Sequence, residues 1–261
     1  MSEMQIIPWT KDILSVERDF PDEPGVRSML LLGERYTVVF DTMYSPTDML
    51  EAAAIAHERG RPILVVDTHA DGDHALGNAA FPGVPIIAHE LTRQRLATSG
   101  DRLAAYKAAR PLEFATSSLV LPTITFDKEL WIDLGGMRLH LVFLPGHRID
   151  TIVGHIPERQ LLLAADCAED PIPILGSGPI APWAAALRGW AADPGVATVI
   201  PAHGPITDRR LLLANAAYLE GLDAGRLDGW QPGPDALPFY SIHHAKNVEK
   251  AQELRAAGGS A

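Results

Sequence analysis

A short apolar run that ends in a cluster of histidines and aspartates constrains this chain more than any other feature. Residues 62–66 are continuously apolar, which is typical of a buried strand, and the polar loop 67–74 follows at once. A strand over 36–40 and a helix over 49–58 are predicted ahead of it. Strand-rich and helix-rich stretches also alternate farther along, which predicts helices that cover the outer faces of packed sheets.

The loop after this strand contains four potential metal ligands, His69, Asp71, Asp73 and His74. A divalent metal needs imidazoles or carboxylates that converge to about 2.0–2.2 Å, and a loop at a strand end can direct successive side chains inward. Gly72 gives the backbone the freedom to do so. A solvated polar turn has a similar composition, so the cluster alone leaves both interpretations open.

Three more potential ligands follow predicted strands. The strands are predicted over 137–144, 161–165 and 196–200, and they lead to His147, Asp166 and His203, respectively. Strand ends are where α/β proteins usually assemble their sites. Seven such residues at four strand ends therefore favour a metal site over a set of unrelated turns.

The cysteine content limits the kind of metal site. Cys167 is the only cysteine, so neither an intramolecular disulfide nor a thiolate zinc cluster can form, and a metal must use histidine and carboxylate. Cys167 follows Asp166 on backbone predicted to be extended, so the two side chains point in opposite directions. We expect Cys167 to be a small buried side chain.

Charge and hydropathy exclude several partners. The formal net charge is −11 with no marked cluster of Lys and Arg, so nucleic acid is not an expected partner. No stretch is long enough to cross a bilayer, and residues 1–20 lack the apolar run of a signal peptide. We expect a cytoplasmic protein that acts on a small molecule and binds no membrane. The sequence does not specify an oligomeric state.

The order of these motifs resembles the metallo-β-lactamase superfamily. The first motif of that family, His-x-His-x-Asp-His, corresponds to residues 69–74, and His147 stands in the matching Pro-Gly-His context. Asp166 after a hydrophobic strand and His203 before a glycine also match, as does Asp41 between a strand and a helix. The resemblance spans most of the chain.

The resemblance implies a fold and an activity. The implied fold is α/β (α+β), a four-layer αββα sandwich, in one domain over 1–261 with a C-terminal helical segment over 205–261. The implied activity is that of a metal-dependent hydrolase whose nucleophile is a metal-bound hydroxide. Its substrate would be an ester, lactone, thioester, amide or phosphoester of a small molecule.

The resemblance also implies the ligand set. His69, Asp71 and His147 would bind one divalent ion, Asp73, His74 and His203 would bind a second, and Asp166 would bridge them. Asp73 would in addition orient the hydroxide as the catalytic residue. Zinc is the first expectation for both ions, and manganese or iron are alternatives.

Asp71 departs from the family pattern, because it stands where the second histidine is expected. Three aspartates (−3), two divalent ions (+4) and a bridging hydroxide (−1) total 0, whereas the pattern with two aspartates totals +1. We therefore expect a first metal that is a weaker Lewis acid, with a preference shifted toward harder ions such as manganese or iron(II). A mononuclear site is an alternative.

Other functions stay open at this point. The carboxylate-rich ligand set also suits an iron-dependent dioxygenase acting on a thiol or persulfide, and Asp71 in a decayed site would suit a non-catalytic metal-binding scaffold. The acidic charge disfavours RNA processing, and the segment after His203 lacks a basic cluster for glutathione. The apolar loops favour a small, fairly hydrophobic substrate.

Several residues near the motifs have two interpretations each. Asp150 either bonds a ligand imidazole or starts a strand, and Trp183 either lines a substrate cavity or belongs to the core. His243 and His244 precede a predicted helix over 245–256 and either reach a pocket mouth or lie on the surface. The remaining histidines fall outside the strand-end pattern and are expected to be structural or exposed: His57, His89, His140 and His155.

Overall fold

The computed structural model describes residues 4–227, 233 and 236–258. These residues form two units, the first made of the described residues up to Asp19 together with Val26–Phe143, and the second made of Phe20–Gly25 and the described residues from Leu144 onward. The sequence predicts a proline-rich connection between two helices over 229–238, and most of this segment lies outside the described residues. The single domain expected from the sequence stays a prediction.

The first unit contains a seven-stranded sheet in which the strands follow chain order. They are β1 (Met4–Pro8), β2 (Ile13–Arg18), β3 (Val26–Leu32), β4 (Thr37–Phe40), β5 (Ile63–Asp67), β6 (Ile86–His89) and β7 (Ile124–Phe126). The pairs from β1 to β4 are antiparallel, and those from β4 to β7 are parallel. The parallel strands β4 and β5 therefore end at the same edge of the sheet, ahead of Asp41 and Thr68.

Four helices and a hairpin complete the first unit. The helices are α1 (Leu50–Glu58), α2 (Gly72–Ala75), α3 (Glu90–Ala97) and α4 (Gly100–Ala109), and the hairpin pairs β8 (Glu129–Asp133) with β9 (Arg138–Phe143). Gly135 and Gly136 have φ angles of 78° and 81°, a conformation that favours glycine. The Gly-Gly pair between two apolar runs predicts a tight turn, and the structure has that turn between β8 and β9.

The second unit contains strands in the order β13-β12-β11-β10. They are β10 (Ile152–Ile156), β11 (Leu161–Ala165), β12 (Thr198–Pro201) and β13 (Thr207–Asp208). The β11–β12 pair is parallel, so its strands end at one edge, ahead of Asp166 and His203. The helices of this unit are α5 (Ile180–Ala192), α6 (Arg210–Asp223) and α7 (Pro238–Gly258).

The predicted α/β class is confirmed, and the main difference lies near the N-terminus. The apolar runs 28–32 and 36–40 on either side of Gly33 predict the first hairpin of the chain, but in the structure the β1–β2 hairpin precedes this β3–β4 pair. Strand β1 is a short edge strand with no buried residue, and β2 is its one neighbour in the sheet. No helix in the described part of the chain has the length and apolarity to cross a membrane.

Candidate metal centre

In the first unit, the loop between β5 and α2 carries the cluster of four potential ligands. His69 and His74 are fully buried, and the exposed fraction of Asp71 is 8%. Asp71 is the N-cap residue of α2, and Asp73 and His74 lie within this short helix. Gly72 lies against α4, since a Cβ atom there would stand 2.7 Å from Cε2 of Tyr106. A larger residue at the start of α2 would therefore require the Tyr106 ring to shift.

Asp41 orients both histidines of this loop. Its Oδ2 accepts hydrogen bonds from Nδ1 of His74 (2.8 Å) and from the hydroxyl of Thr68 (2.9 Å), while Oδ1 accepts from the Thr68 amide (2.8 Å). Because the Thr68 hydroxyl donates to Asp41, its oxygen accepts from Nδ1 of His69 at 3.0 Å. Both imidazoles therefore carry their proton on Nδ1, and Nε2 has the lone pair that a metal needs.

Each Nε2 atom of this loop faces a carboxylate oxygen. The distance from Nε2 of His69 to Oδ2 of Asp71 is 3.8 Å, and that from Nε2 of His74 to Oδ2 of Asp73 is 3.5 Å. These separations exceed those of N–H···O hydrogen bonds. Two ligands that each lie about 2.1 Å from one tetrahedral ion would stand about 3.4 Å apart. The pairs thus have the spacing of metal ligands.

Asp71 has a second set of contacts. Its Oδ1 accepts hydrogen bonds from Arg95 on α3 and Arg102 on α4, both at 3.2 Å. The carboxylate therefore presents one oxygen to two guanidinium groups and the other toward His69. These two arginines could not be predicted as partners of Asp71, because nothing in the spacing of residues 71, 95 and 102 connects them.

In the second unit, His147, Asp166 and His203 are buried at the predicted strand ends. Nδ1 of His147 donates to the carbonyl of Ile174 (2.8 Å), and Nδ1 of His203 donates to the carbonyl of Gly25 (2.7 Å). A carbonyl oxygen only accepts, so these histidines also carry the proton on Nδ1. The two Nε2 atoms lie 3.5 Å from Oδ2 and Oδ1 of Asp166, respectively.

The donor chemistry in each unit fits a divalent metal. Histidine Nε2 and carboxylate oxygens are the ligands left to a metal in a chain without a thiolate cluster. The first unit brings His69, Asp71, Asp73 and His74 together, and the second brings His147, Asp166 and His203 together. In the second unit each carboxylate oxygen of Asp166 faces a different imidazole, which suits a bridging ligand.

A buried acid behind Asp166 was not found from the sequence. Glu169 is 2% exposed, and its Oε1 accepts a hydrogen bond from the hydroxyl of Tyr240 on α7 at 2.9 Å. Burial raises the pKa of Glu169 to about 7, and the nearby His203 opposes this shift. An acid after a strand end is common in surface turns, so the sequence contained no signal of this burial.

Asp150, Trp183 and Cys167, which lie near the motifs, are all buried. The acceptor for Nδ1 of His147 is the Ile174 carbonyl rather than Asp150, which is fully buried at the start of β10. Trp183 is a core residue, fully buried with its Nε1 donating to the carbonyl of Cys167. Cys167 is buried as predicted, and burial raises the pKa of its thiol well above the ordinary value.

The histidines outside the strand-end pattern are held by ordinary contacts or exposed. His89 and His155 bond the backbone carbonyls of Asp127 and Gly195. His140 bonds Glu129 and stacks on Trp131, and His57 is exposed.

The two histidines of α7 are both half-buried. His243 stacks on Phe239, and burial lowers its pKa to about 4. His244 pairs through Nδ1 with the hydroxyl of Tyr218 at 2.8 Å.

A cavity of about 390 Å³ lies beside His203 in the second unit. Gly25, whose carbonyl holds His203, and Gly204, which follows His203, both line it. Pro24, Pro171 and Leu237 give it apolar walls, and Asp170 and Tyr240 add polar groups. Its volume falls within the range of about 300–1,000 Å³ that is usual for small-molecule sites.

The chain is similar to known proteins over most of its length. The model of the metallo-beta-lactamase superfamily matches residues 22–219. The acyl-coenzyme A thioesterase MBLAC2 of Bos taurus is 27% identical over 177 residues, which cover 59% of this chain and 62% of that protein. The chain therefore matches less than two thirds of the length of this curated relative.

Solved structures share the fold. A metallo-beta-lactamase from Pontibacter korlensis has a TM-score of 0.66 and 21% identity, covering 84% of this chain and 99% of that one. The structure of TMB-1 has a TM-score of 0.68 and 17% identity, covering 84% and 98%. At this level of identity the likeness concerns the fold alone, and it confirms the fold type that the motifs predict.

Proposed function

This chain belongs to the metallo-β-lactamase superfamily of hydrolases, and we propose that it cleaves a thioester or a related acyl bond of a small substrate with two bound divalent metals. The observation that carries the proposal is the state of four buried histidines. Each has Nδ1 fixed by an oxygen and Nε2 at 3.5–3.8 Å from a carboxylate oxygen. Such preorganisation is what metal ligation requires.

The ligand assignment follows the family motif. We assign His69, Asp71 and His147 to one ion, Asp73, His74 and His203 to the other, and Asp166 to both. Support for Asp166 as the bridge comes from its two oxygens, each 3.5 Å from a different Nε2. Zinc suits this histidine-rich donor set, and manganese or iron(II) suit its carboxylates.

When bound, the metals supply Lewis acidity that activates a water and polarises the scissile carbonyl. The chain itself provides the orientation. Asp41 holds His69 and His74 in one tautomer, and backbone carbonyls do the same for His147 and His203. Asp73, with Oδ2 3.5 Å from Nε2 of His74, accepts a hydrogen bond from the attacking water and directs its lone pair at the carbonyl carbon.

A thioester is the first substrate to test among the five bond types that the family suggests. The curated relative is an acyl-coenzyme A thioesterase, which makes the thioester a candidate here. The cavity beside His203 has apolar walls at Pro24, Pro171 and Leu237 and a volume of about 390 Å³, which suits a short acyl group. The proposal therefore assigns the acyl group to this cavity.

The test is metal analysis of untagged protein paired with a hydrolysis screen. We expect about two metals per chain and chelator-sensitive cleavage, with short acyl thioesters cleaved faster than lactones, oxygen esters, amides or phosphodiesters. Protein that binds no metal after reconstitution would reject the proposal in favour of a scaffold. Oxygen uptake with a thiol or persulfide, in place of hydrolysis, would show the dioxygenase instead.

The ligand assignment has its own test. His69→Ala and Asp166→Ala should each lose metal and activity together, because each removes a donor that no neighbour replaces. His57→Ala is the matched control, since His57 is exposed on α1 and should leave both unchanged. Full metal content in both ligand variants would contradict the assignment.

A further inference from the structure

We infer that Arg95 and Arg102 are positioning residues for the first metal, and that they act with Asp71 as one unit in the place where the family has a histidine. The inference rests on the proposed function, because it concerns the ion assigned to His69, Asp71 and His147. It predicts that Asp71 can be exchanged for histidine only if the arginines are exchanged with it.

The two oxygens of the Asp71 carboxylate have different partners. Oδ1 receives one N–H from Arg95 and one from Arg102, each at 3.2 Å, while Oδ2 lies 3.8 Å from Nε2 of His69. The guanidinium groups therefore fix which oxygen faces the imidazole. A carboxylate held in this way binds a metal through one atom, as an imidazole does.

Further hydrogen bonds hold the two arginines in place. Arg102 also donates to the carbonyl of Ala70 and to the hydroxyl of Ser99, and the Ser99 hydroxyl donates to the carbonyl of Arg95. Ser99 thus connects the two arginines through the junction of α3 and α4. Their side chains are only 26% and 31% exposed, so the network has limited freedom to rearrange.

The two arginines also change the charge around the proposed first metal. Relative to histidine, Asp71 adds −1 next to the first metal, whereas the two guanidinium groups add +2 on its far side. The arginines draw the carboxylate charge toward Oδ1 and weaken the donation from Oδ2. On this inference, the arginines offset the shift toward harder ions that the ligand count alone predicts.

The experiment is a mutant cycle of wild type, Asp71→His, Arg95→Gln/Arg102→Gln and the triple variant. Dissociation constants for Zn²⁺ and Mn²⁺ are measured by competition with a chelator. We expect Asp71→His to weaken Zn²⁺ binding about 10–100-fold, because both guanidinium groups then face the metal without a carboxylate. The triple variant should regain at least about tenfold of this loss.

The arginine pair gives a second readout that does not depend on a histidine fitting the site. In Arg95→Gln/Arg102→Gln, Asp71 donates its full charge, so Mn²⁺ binding should improve about tenfold relative to Zn²⁺. The control is Arg93→Gln/Lys107→Gln, which removes two charges from the exposed faces of the same helices and should leave the ratio unchanged.

The outcomes separate the inference from the function on which it rests. Additive effects in the cycle, or an unchanged metal ratio in the arginine pair, would overturn the inference while wild type still binds metal. Wild type that binds no metal would reject the proposed function, and the inference with it. Should Asp71→His fail to fold by circular dichroism, the metal ratio in the arginine pair decides.

Discussion

The two units hold their histidines by different means. In the first unit, the acceptors for Nδ1 of His69 and His74 are side chains, the hydroxyl of Thr68 and the carboxylate of Asp41. In the second unit, the acceptors for His147 and His203 are the backbone carbonyls of residues 174 and 25. Both arrangements leave the same nitrogen, Nε2, to a metal.

The difference determines how each part can change. A side-chain acceptor disappears with a single substitution, whereas a carbonyl acceptor moves only when its loop moves. The first unit is also where the chain departs from the family motif, at Asp71, and where Arg95 and Arg102 surround the replaced ligand. The part held by side chains is thus also the part in which this chain departs from the family motif.

The largest expected effect comes from Asp41→Asn, which removes the carboxylate that orients His74 directly and His69 through Thr68. The amide would donate where the carboxylate accepts, so His74 would accept at Nδ1 and carry its proton on Nε2, where a metal should bind. The Thr68 hydroxyl would lose its acceptor, and His69 its orientation. At about 10–100-fold for each histidine, kcat/KM should fall about 10³-fold.

Asparagine is the right replacement at this position because Asp41 has a φ angle of 66°, which asparagine tolerates better than most residues. Asp193→Asn is the control, since Asp193 caps a turn at Gly195 in the second unit. Metal analysis and kinetics are the measurements. Asp41→Asn protein with full metal content and wild-type kinetics would show that Asp41 does not set the tautomers.

The next effect tests the electrostatics of the second unit through Glu169. Burial raises its pKa from 4.5 to about 7, so the folded state favours the protonated acid. The stability that this group supports is complete below pH 4.5 and is lost as the pH rises through about 7. At about 1.4 kcal/mol per pH unit, the loss is about 3 kcal/mol in metal-free protein.

Glu169→Gln should remove this pH dependence, because the amide stays neutral and its oxygen can still accept from Tyr240. Urea unfolding of the metal-free protein at pH 5, 6, 7 and 8 measures the difference from wild type, which should grow with pH in favour of the variant. Glu249→Gln, at an exposed position of α7, controls for net charge. Parallel stability curves for wild type and Glu169→Gln would refute the prediction.

The sequence predicted the site in outline because its residues follow apolar strands. His147, Asp166 and His203 each come after a run that folds as a strand, and strand ends converge whatever the connecting loops do. Local periodicity was enough for these strand ends. Cys167 is buried as predicted, but the expectation of extended backbone was wrong, because Asp166 and Cys167 lie in a turn after β11 in which the Cys167 amide donates to the Ala164 carbonyl.

Periodicity was not enough where a contact joins residues distant in sequence. Arg95 and Arg102 reach Asp71 from two helices that are amphipathic only weakly, and Glu169 is buried by Tyr240, 71 residues away. In each case the deciding interaction is tertiary, so no short window of sequence contains it.

A smaller effect should follow from Asn247→Ala, which loosens the backbone arrangement of the second unit. Asn247 is buried on α7, where its Oδ1 accepts from the Leu175 amide and its Nδ2 donates to the Pro173 carbonyl. These two residues flank Ile174, whose carbonyl holds His147. The buried amide left without an acceptor should lower the free energy of unfolding by about 1–3 kcal/mol.

Urea unfolding and zinc affinity together test the role of Asn247. Zinc binding should weaken by up to about tenfold, since Ile174 moves with its neighbours. Asn247→Asp keeps the acceptor for Leu175 but sets a second oxygen against the Pro173 carbonyl in a buried position, so it should lose at least as much stability as Asn247→Ala. A variant Asn247→Ala with lower stability but unchanged zinc affinity would mean that the Ile174 carbonyl is fixed by other contacts.

The smallest effect is expected from Cys167→Ala, although Cys167 adjoins the proposed bridging residue. Its thiol contacts the carbonyl of Leu144 at 3.6 Å, and burial followed by the charge of Asp166 raises its pKa, so no thiolate is available for attack. We expect kcat/KM within about twofold of wild type, a stability loss of about 1 kcal/mol, and thiol labelling only after unfolding. A large loss of activity with metal content intact would instead place the thiol at the reacting atoms, and the carbonyl-held part of the site would then contain a nucleophile of its own.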